Sequence, residues 1–353
     1  MSTLLSPAFF SICIPQYNRT SFLLEACRSL AVQTFREFEV CISDDCSTDG
    51  REQELIAYLE GSGLRFTYRR QVRNTRYDGN LRASIALATG QYCLLLGNDD
   101  SLATRETLAD LARALRTHPE AVVALTNYAE HGGGRRYERV TADGIIGRGP
   151  STAARVFRNF SFVSGVILAR AQAQALATER WDGSEMYQMY LGCRMLADGG
   201  TLLGITQFAI RKDIPIPGEQ VESYASQVRH EDLRVIERRL PLASLGRVVV
   251  DAVTYRLGAG KRDQLTVRIF LQILLFTYPY WIIEYRRVHS WQYAFGICLG
   301  MRPRYLLYNV MLYWPWRVAL ICIYLTVTLA GMLISPALFR LLQTRLYRLA
   351  KML

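Results

Sequence analysis

The chain has 353 residues, of which 50% are hydrophobic and 21% are charged. This composition excludes a disordered or fibrous chain, and the length allows one large α/β domain with an appendage or two modest domains. The net charge of +11 is uneven, because residues 233–353 carry 17 Lys and Arg against 4 Asp and Glu. Since these basic residues alternate with Trp, Tyr, Leu and Ile, we expect an anionic membrane surface, and no nucleic acid, as their partner.

The eight cysteines are scattered along the chain and form no CxxC pair. We therefore expect reduced thiols, most of them in the core, and no disulfide framework. The N-terminal residues 1–15 lack a basic stretch before their apolar run, which is not typical of a secretory signal. The N-terminal part is predicted to stay in the cytosol.

Hydrophobic patterns predict strands and helices that alternate through the first 126 residues. The predicted strands are 9–14, 38–43, 66–68, 91–96 and 121–126, and the predicted helices are 21–33, 52–59, 80–88 and 104–116. This alternation is typical of an α/β fold with a mostly parallel, doubly wound sheet and right-handed crossovers.

The next part of the chain is less regular. Residues 131–150 are rich in Gly and Arg and are predicted to form a mobile excursion. A further strand is expected at 161–169 and a helix at 185–197, which the sequence Asp198-Gly199-Gly200 would end.

The C-terminal region contains two uncharged runs, 269–283 and 318–339. Only the second is long enough to span a bilayer. A spanning arrangement would place several Arg residues outside the cell, against the positive-inside tendency. We therefore favour helices that lie in the cytoplasmic interface over a transmembrane span, and over an ordinary helical core. Four tryptophans are then expected at headgroup depth: Trp281, Trp291, Trp314 and Trp316.

Polar residues follow three of the predicted strands, at 15–19, 43–50 and 97–100. Ligands of open parallel sheets bind beyond the carboxyl ends of the strands, so these segments are expected to meet at one edge. The adjacent carboxylates of Asp99 and Asp100 repel each other, and Mg²⁺ or Mn²⁺ would relieve that repulsion. Alternatively, this pair caps a helix or closes a turn.

Asp44 and Asp45 follow the second predicted strand, where a carboxylate can accept a hydrogen bond from a nucleobase. The surrounding sequence DDCSTDG is also typical of a simple turn with helix-capping residues. Neither GxGxxG nor GxxxxGK[ST] follows a strand, so dinucleotide-binding and P-loop folds are disfavoured.

The segments SICIPQYNR, FEVCISDDCSTDG and ATGQYCLLLGNDD, in this order and spacing, resemble the N-terminal half of family 2 glycosyltransferases, which have the GT-A fold. The resemblance covers residues 9–105 well and extends weakly to about residue 200. The segment YCLLLGNDD is most similar to abequosyltransferases and related O-antigen enzymes. We accordingly expect a GT-A domain over residues 1–232 and a basic, aromatic-rich, helical membrane-associating region over 233–353.

The resemblance also implies site residues. A nucleotide pocket is expected at Pro15, Tyr17, Asp44, Asp45, Asn80 and Asp99, and a metal site at Asp99, Asp100 and Asn98. The family commonly has Asp at the position of Gly97, so the metal ligands of this chain are reduced or include Asn98. His230-Glu231-Asp232 could contact phosphate or metal, although a solvated helix start explains the same residues.

An inverting enzyme needs a base for the acceptor hydroxyl, which the family takes from an Asp at a helix start. Counting back from Arg194, that position falls on Tyr187-Gln188, and neither side chain can act as a base. Glu185 or Asp182 would then serve instead. Glu185 is equally suited to favouring a helix N-terminus.

The function implied is transfer of a sugar from a nucleotide-sugar donor to a polyprenyl-diphosphate-linked saccharide in bacterial O-antigen, capsule or exopolysaccharide synthesis, at the cytoplasmic face of the inner membrane. The chain lacks QxxRW, which disfavours a processive synthase. Two alternatives remain: a transferase that uses polyprenyl phosphate itself as acceptor, and a non-catalytic membrane protein that binds nucleotide sugars.

Overall fold

The structure is a computed structural model that describes residues 8–219, 241–288, 290–339 and 341. The chain divides into two compact units, residues 1–221 and residues 222–353. The predicted boundary at 232/233 and the sequence His230-Glu231-Asp232 lie outside the described residues.

The first unit alternates strands and helices through most of its length. Its strands are β1 (Phe10–Gln16), β2 (Phe38–Asp44), β3 (Phe66–Arg70), β4 (Tyr92–Leu95), β5 (Ser101–Leu102), β6 (Ala121–Glu130), β7 (Arg136–Tyr137), β8 (Gly144–Arg148), β9 (Val166–Ala169) and β10 (Thr201–Lys212). Its helices are α1 (Thr20–Ala31), α2 (Glu52–Gly61), α3 (Arg76–Ala86), α4 (Thr107–Thr117), α5 (Gly149–Val156), α6 (Arg170–Ala175) and α7 (Tyr187–Ala197). The predicted elements of the N-terminal half are confirmed, with bounds that shift by a few residues.

Strand β1 lies at the centre of the parallel part of the sheet because its sequence FSICIPQ is apolar on both faces. Helix α1 covers the sheet with a stripe that includes Leu23, Cys27 and Leu30, and these side chains share one core cluster with Ile12 and Ile14. This packing fixes the carboxyl end of β1, where the polar segment begins.

In the described residues the strands form one sheet in the order β3-β2-β1-β4-β9-β6-β10-β5, with β7 beside β6 and β8 beside β10. The first four of these strands are parallel, and β9 is antiparallel to both β4 and β6. The sheet is therefore mixed, with a parallel, Rossmann-like half. The strand order reverses between β1 and β4, which is the topological switch point where ligands bind in such sheets.

The prediction of a mobile excursion at residues 131–150 is wrong. Strand β7 pairs with β6, and β8 pairs with β10. The side chain of Asn127 in β6 accepts hydrogen bonds from the backbone N–H groups of Arg139 and Val140, at 2.7 and 3.0 Å. The stretch is held by the sheet, although its composition is that of a loop.

The second unit is helical in its described part. Its helices are α8 (Pro241–Thr254), α9 (Ala259–Gln272), α10 (Tyr278–Val288), α11 (Trp291–Gly300), α12 (Pro303–Leu306) and α13 (Trp314–Leu333). A π-helical segment, Ile273–Thr277, joins α9 to α10 in one long helix.

Helix α13 runs parallel to this long helix. The backbone N–H of Tyr313 donates to Asp263 near the start of α9, and Arg286 near the end of α10 donates to the carbonyl oxygen of Gly331 at 3.0 Å. Within the described residues, two helices are long and apolar enough to cross a membrane, Ala259–Arg287 and Trp314–Leu333. The first is longer than its uncharged run predicted, because the helix continues through charged residues on both sides.

One face of α13 has no partner among the described residues. The exposed side chains on this face recur every three or four residues and are all uncharged: Val318, Cys322, Leu325, Leu329 and Leu333. At about 1.5 Å per residue these positions extend over roughly 22 Å. We call this surface the apolar stripe of α13.

Candidate active site

The three polar segments that follow β1, β2 and β4 meet around the buried side chain of Gln16. Its amide nitrogen donates to the carbonyl oxygen of Asn18 at 2.5 Å, and its amide oxygen accepts from Asn98 at 2.8 Å. The backbone oxygen of Gln16 accepts from the Asn80 side chain and from the Asp45 N–H, both at 2.9 Å. The neutral side chain of Gln16 and its backbone carbonyl oxygen thus connect the three predicted strand ends.

Asp44 and Asp45 are both buried but differ in their partners. The two oxygens of Asp44 accept from the Ser47 N–H at 2.7 Å and from the Tyr68 hydroxyl at 2.8 Å. Asp45 uses only Oδ1, which accepts from the N–H and the hydroxyl of Thr75 at 2.6 and 2.9 Å. Within the described chain, Oδ2 of Asp45 has no hydrogen-bond partner, so this oxygen is the one that can accept from a ligand.

Asp99 and Asp100 lie in the turn after β4 and are held in different ways. The two oxygens of Asp100 accept from the Ser164 hydroxyl and from the Asp213 N–H, the latter at 3.1 Å. Asp99 accepts from the guanidinium of Arg19, with 2.7 Å between Nη1 and Oδ2. Asp100 is therefore fixed by groups of the sheet, whereas Asp99 is paired with a long side chain from another loop.

The carboxyl groups of Asp99 and Asp100 are not fully balanced by nearby positive charge, and both have raised pKa values. Burial and the charge of Asp99 raise the pKa of Asp100 to about 8. Burial also raises the pKa of Asp99, although the Arg19 guanidinium opposes the shift. Burial lowers the pKa of Lys212, but its hydrogen bond to Asp213 and the nearby carboxylates outweigh burial and raise it. Both carboxyl groups of the turn would ionise more readily beside an additional cation.

Arg139 supports Asp100 through Ser164. Its buried guanidinium donates to the carbonyl oxygens of Thr126, Phe162 and Ser164 at 2.7 to 2.9 Å. Burial lowers the pKa of Arg139 to about 10, which leaves it charged at neutral pH. The segment that its composition marked as a free loop therefore helps to position a carboxylate of the site.

Glu185 and Asp182, the two candidates for the base, have different surroundings. Asp182 accepts two hydrogen bonds from Arg82, at 2.5 and 2.8 Å. Glu185 is exposed and has a left-handed backbone with φ of 59°. Its N–H and that of Tyr187 donate to the buried carboxylate of Asp78, at 2.8 and 3.0 Å. Asp78 thereby holds the first turn of α7 and the backbone of Glu185.

The other predicted site residues lie near the end of β1 or in α7. Pro15 is half-buried and Tyr17 is exposed, both beside Gln16 in the chain. Gln188 is buried and bonds to the Phe160 carbonyl and the Tyr77 hydroxyl, at 3.1 and 3.0 Å.

Sequence reasoning assigned no role to six residues that contribute: Arg19, Asp78, Arg139, Ser164, Lys212 and Asp213. Arg19 directly follows PQYN at a strand end, so its position alone could have made it a candidate. Asp213 follows β10, whose sequence TLLGITQFAI is apolar enough to predict a strand. Nothing local marks Asp78 or Ser164.

The sequence of the chain was compared with family models and with known proteins. The model of the family "Glycosyl transferase family 2" matches residues 11–172. Abequosyltransferase RfbV of Salmonella typhimurium is 30% identical over 191 residues, which cover 52% of this chain and 56% of that protein. Poly(ribitol-phosphate) beta-N-acetylglucosaminyltransferase TarS of Staphylococcus aureus is 32% identical over 129 residues, 35% of this chain and 22% of that protein. The matches thus span about half or less of these relatives.

Two solved structures share the fold. Residues 1–349 of S. aureus TarS in complex with UDP have a TM-score of 0.60 at 17% identity, with 91% of this chain and 90% of that chain covered. The mannosyltransferase PcManGT of Pyrobaculum calidifontis, in complex with GDP-Man and Mn²⁺, has a TM-score of 0.52 at 14% identity, with 93% and 90% covered. Given the motifs at the strand ends, the family match and the GT-A fold, residues 11–172 of this chain form a glycosyltransferase domain of family 2.

Proposed function

We propose that this chain is an inverting glycosyltransferase that moves a sugar from a nucleotide-sugar donor to a lipid-linked saccharide in bacterial surface polysaccharide synthesis. The observation that carries the proposal is that the segment of Asp45 and the turn of Asn98, Asp99 and Asp100 both bond to Gln16, through the Asp45 N–H and the Asn98 side chain, at the switch point of the sheet. Carboxylates there can face both a nucleobase and a diphosphate. Abequosyltransferase RfbV is, by its name, an enzyme that transfers a sugar.

For the nucleotide, the free oxygen of Asp45 would accept from a nucleobase N–H, while Asp44 keeps the loop in place. The side-chain oxygen of Asn80 is buried and has no partner in the described part of the chain, so a ligand donor would satisfy it. The exposed ring of Tyr17 offers a flat surface beside Pro15 for a base. UDP and GDP-Man in the complexes of the two solved structures are consistent with this part of the proposal.

The carboxylates of this turn also fit a divalent cation. Asp99 and Asp100 would supply the oxygen ligands that Mg²⁺ and Mn²⁺ prefer, and the raised pKa of Asp100 supports a cation there. The amide nitrogen of Asn98 is used by Gln16, which leaves its carbonyl oxygen for the same role. No group of three or more His, Cys, Asp and Glu side chains able to hold a metal occurs in the described residues, so waters and the diphosphate would complete the coordination. Such a cation neutralises charge on the departing nucleoside diphosphate.

For the base, we favour Glu185 over Asp182. Both oxygens of Asp182 are occupied by Arg82, which is typical of a structural ion pair. Glu185 is exposed, and its backbone is fixed by Asp78 in a conformation that costs a non-glycine residue energy. A carboxylate held in this way can accept the proton of the acceptor hydroxyl as the new bond forms.

We further propose that the second unit binds the cytoplasmic face of the inner membrane. The apolar stripe of α13 carries no charge, and its opposite side packs on α10 through residues such as Tyr324 and Gly331. Trp314 and Trp316 are exposed at the start of the helix, where amphipathic rings anchor at headgroup depth. A helix covered by protein on one side and apolar on the other suits an in-plane position. The proposed lipid-linked acceptor would lie at this surface.

The first test is a thermal-shift screen of the detergent-purified full chain against UDP, CDP, GDP and dTDP, each with Mn²⁺ and with EDTA. A ligand that binds the folded state raises the melting temperature by mass action. We expect one nucleotide to give a shift that requires Mn²⁺ and that Asp99→Asn abolishes. If no nucleotide shifts the melting temperature under any condition, the donor assignment fails.

The acceptor is tested with the sugar nucleotide that the screen identifies. Transfer to a polyprenyl-diphosphate-linked saccharide, and none to polyprenyl phosphate, is the expected result. The reverse result would replace this acceptor with polyprenyl phosphate. Donor hydrolysis without transfer to either lipid would contradict both.

Membrane attachment is tested by flotation with anionic and neutral vesicles. Leu325→Lys together with Leu329→Lys places two charges in the apolar stripe and should release the protein into the soluble fraction. Val72→Lys, at a fully exposed apolar residue of the first unit, is the matched control and should float like the unmodified chain. Equal flotation of all three proteins would contradict attachment through α13.

A further inference from the structure

Arg19 reaches Asp99 because two successive residues adopt the left-handed backbone conformation. Asn18 has φ of 50° and Arg19 has φ of 56°; Asn adopts this conformation readily, whereas it is unfavourable for Arg. Hydrogen bonds hold this segment: the Asn18 N–H donates to the Ser47 hydroxyl at 2.8 Å, and the Thr48 N–H donates to the Asn18 side chain at 2.7 Å. These hydrogen bonds maintain a strained turn, and the turn places the guanidinium of Arg19 beside Asp99.

The partners of Asp99 and Asp100 differ in how easily they can leave. Asp100 is held by a backbone N–H and by the Ser164 hydroxyl, which are both fixed by the sheet. The partner of Asp99 is the end of a flexible side chain, and both members of this ion pair remain about one-quarter exposed, 26% for Arg19 and 23% for Asp99. A rotation of the Arg19 side chain can break this contact without moving the backbone.

A divalent cation bound by the same carboxylates would compete directly with Arg19. The cation and the guanidinium would both need the oxygens of Asp99. Two positive charges beside the same carboxylate would also repel each other. A guanidinium displaced from Asp99 would still be attached at the end of β1, and a diphosphate bound by the same cation would offer it new acceptors. A guanidinium forms two parallel hydrogen bonds with phosphate oxygens, which suits it to that second partner.

We propose that Arg19 is an exchangeable counter-cation, which pairs with Asp99 until a divalent cation binds there and then binds the diphosphate of the donor. The inference rests on the proposed function, since it needs that metal and that donor. It predicts opposite effects of one substitution: removal of Arg19 strengthens binding of the cation alone and weakens binding of the diphosphate in its presence.

The first measurement is a titration of the purified full chain with Mn²⁺ alone at pH 8.0, with free Mn²⁺ followed by its electron paramagnetic resonance signal. Arg19→Met removes the charge and keeps an aliphatic stem. Arg19→Asn removes the charge and relieves the left-handed backbone, so a folding defect of the first variant would not affect the second. Both variants should bind Mn²⁺ on the order of ten-fold more tightly, because the cation no longer has to break the charged hydrogen bond between Arg19 and Asp99. Arg28→Met, an exposed arginine on α1 that pairs with Glu25, should match the unmodified chain.

The second measurement is binding of UDP, CDP, GDP and dTDP by calorimetry at saturating Mn²⁺. The nucleotide that the unmodified chain binds best should bind both Arg19 variants on the order of ten-fold more weakly. Arg19→Lys keeps a positive charge and should recover part of the loss.

The outcomes separate the two proposals. Mn²⁺ binding by the unmodified chain, with unchanged Mn²⁺ and nucleotide affinities in the Arg19 variants, overturns the exchange and leaves the metal site intact. Weaker Mn²⁺ binding in both variants also overturns it, because Arg19 would then support the metal. If the unmodified chain binds no Mn²⁺ even with nucleotide, the metal site and the exchange both fall.

Discussion

Replacing Asp100 by Asn should make the cation-free protein more stable while abolishing its activity. Burial and the charge of Asp99 raise the pKa of Asp100 from the ordinary value of 3.8 to about 8. Between these values the folded protein keeps a proton that the unfolded chain releases, so the free energy of unfolding falls as pH rises. At pH 7 the loss is roughly 4 kcal/mol, because each pKa unit corresponds to about 1.4 kcal/mol. Asn has no proton to lose and avoids this cost.

Part of the gain is offset by hydrogen bonding. At pH 7 the carboxyl group of Asp100 is protonated and offers a carbonyl oxygen to the Asp213 N–H and a hydroxyl to Ser164; the amide of Asn can take the same places, but the changed geometry of these hydrogen bonds costs about 1 to 2 kcal/mol. The net gain of about 2 kcal/mol corresponds to a rise of roughly 4 to 8 °C in melting temperature for a unit of this size.

The assay is differential scanning fluorimetry in EDTA at several pH values from 5 to 8. The melting temperature of the unmodified chain should fall across this range, and that of Asp100→Asn should fall less, because only the buried carboxyl groups that remain, such as Asp99, still lose stability as pH rises. Asp110→Asn, which removes a carboxylate of α4 outside the site, is the control and should follow the unmodified chain. Mn²⁺ at pH 8 should stabilise the unmodified chain but not Asp100→Asn. The reasoning is refuted if Asp100→Asn keeps the full pH dependence or melts below the unmodified chain at pH 8.

Four further substitutions test other parts of the site. Glu185→Gln should lower kcat by about 10²- to 10⁴-fold with unchanged donor binding, whereas Asp182→Asn should keep most of its activity; steady-state kinetics with the opposite order would reassign the base. Asp78→Ala leaves two backbone N–H groups near α7 without their acceptor and should lower the melting temperature by roughly 5 °C or more, and a smaller kcat at normal donor affinity should accompany it. Gly97→Asp restores the common residue of the family, but a Cβ there would lie 3.0 Å from Asp100 Oδ2; we expect a lower melting temperature in EDTA that Mn²⁺ corrects, and unchanged melting in EDTA would contradict the crowding.

The sequence predicted those parts of the fold whose pattern is local. Strands β1, β2 and β4 are short and mostly apolar, and α1 and α4 carry apolar stripes at helical spacing, so their own residues indicate the element type. The error at residues 131–150 has a different origin. Strand β8, with the sequence GIIGR, forms because β10 lies beside it, and a partner more than 50 residues away leaves no local pattern.

The same distinction holds for the site. Asp44, Asp45, Asp99 and Asp100 could be found because each follows an apolar strand. Their partners could not be assigned, because Arg19 lies 80 residues from Asp99, and Asp213 lies 113 residues from Asp100. Those separations close only when β1, β4 and β10 take their places in one sheet.

The site combines hydrogen bonds between neutral groups around Gln16 with the ion pair of Arg19 and Asp99. Only the ion pair is sensitive to a cation that binds nearby. Gln16 joins Asn98, Asn80 and the Asp45 backbone through amides and carbonyls, whose hydrogen bonds persist whether or not a cation is present. The ion pair of Arg19 with Asp99 depends directly on the charge around it. Arrival of a divalent cation would therefore change this pair and leave the three loops in place. A site arranged in this way needs no backbone reorganisation when charge develops on the leaving diphosphate, which is the condition under which electrostatic stabilisation is most effective.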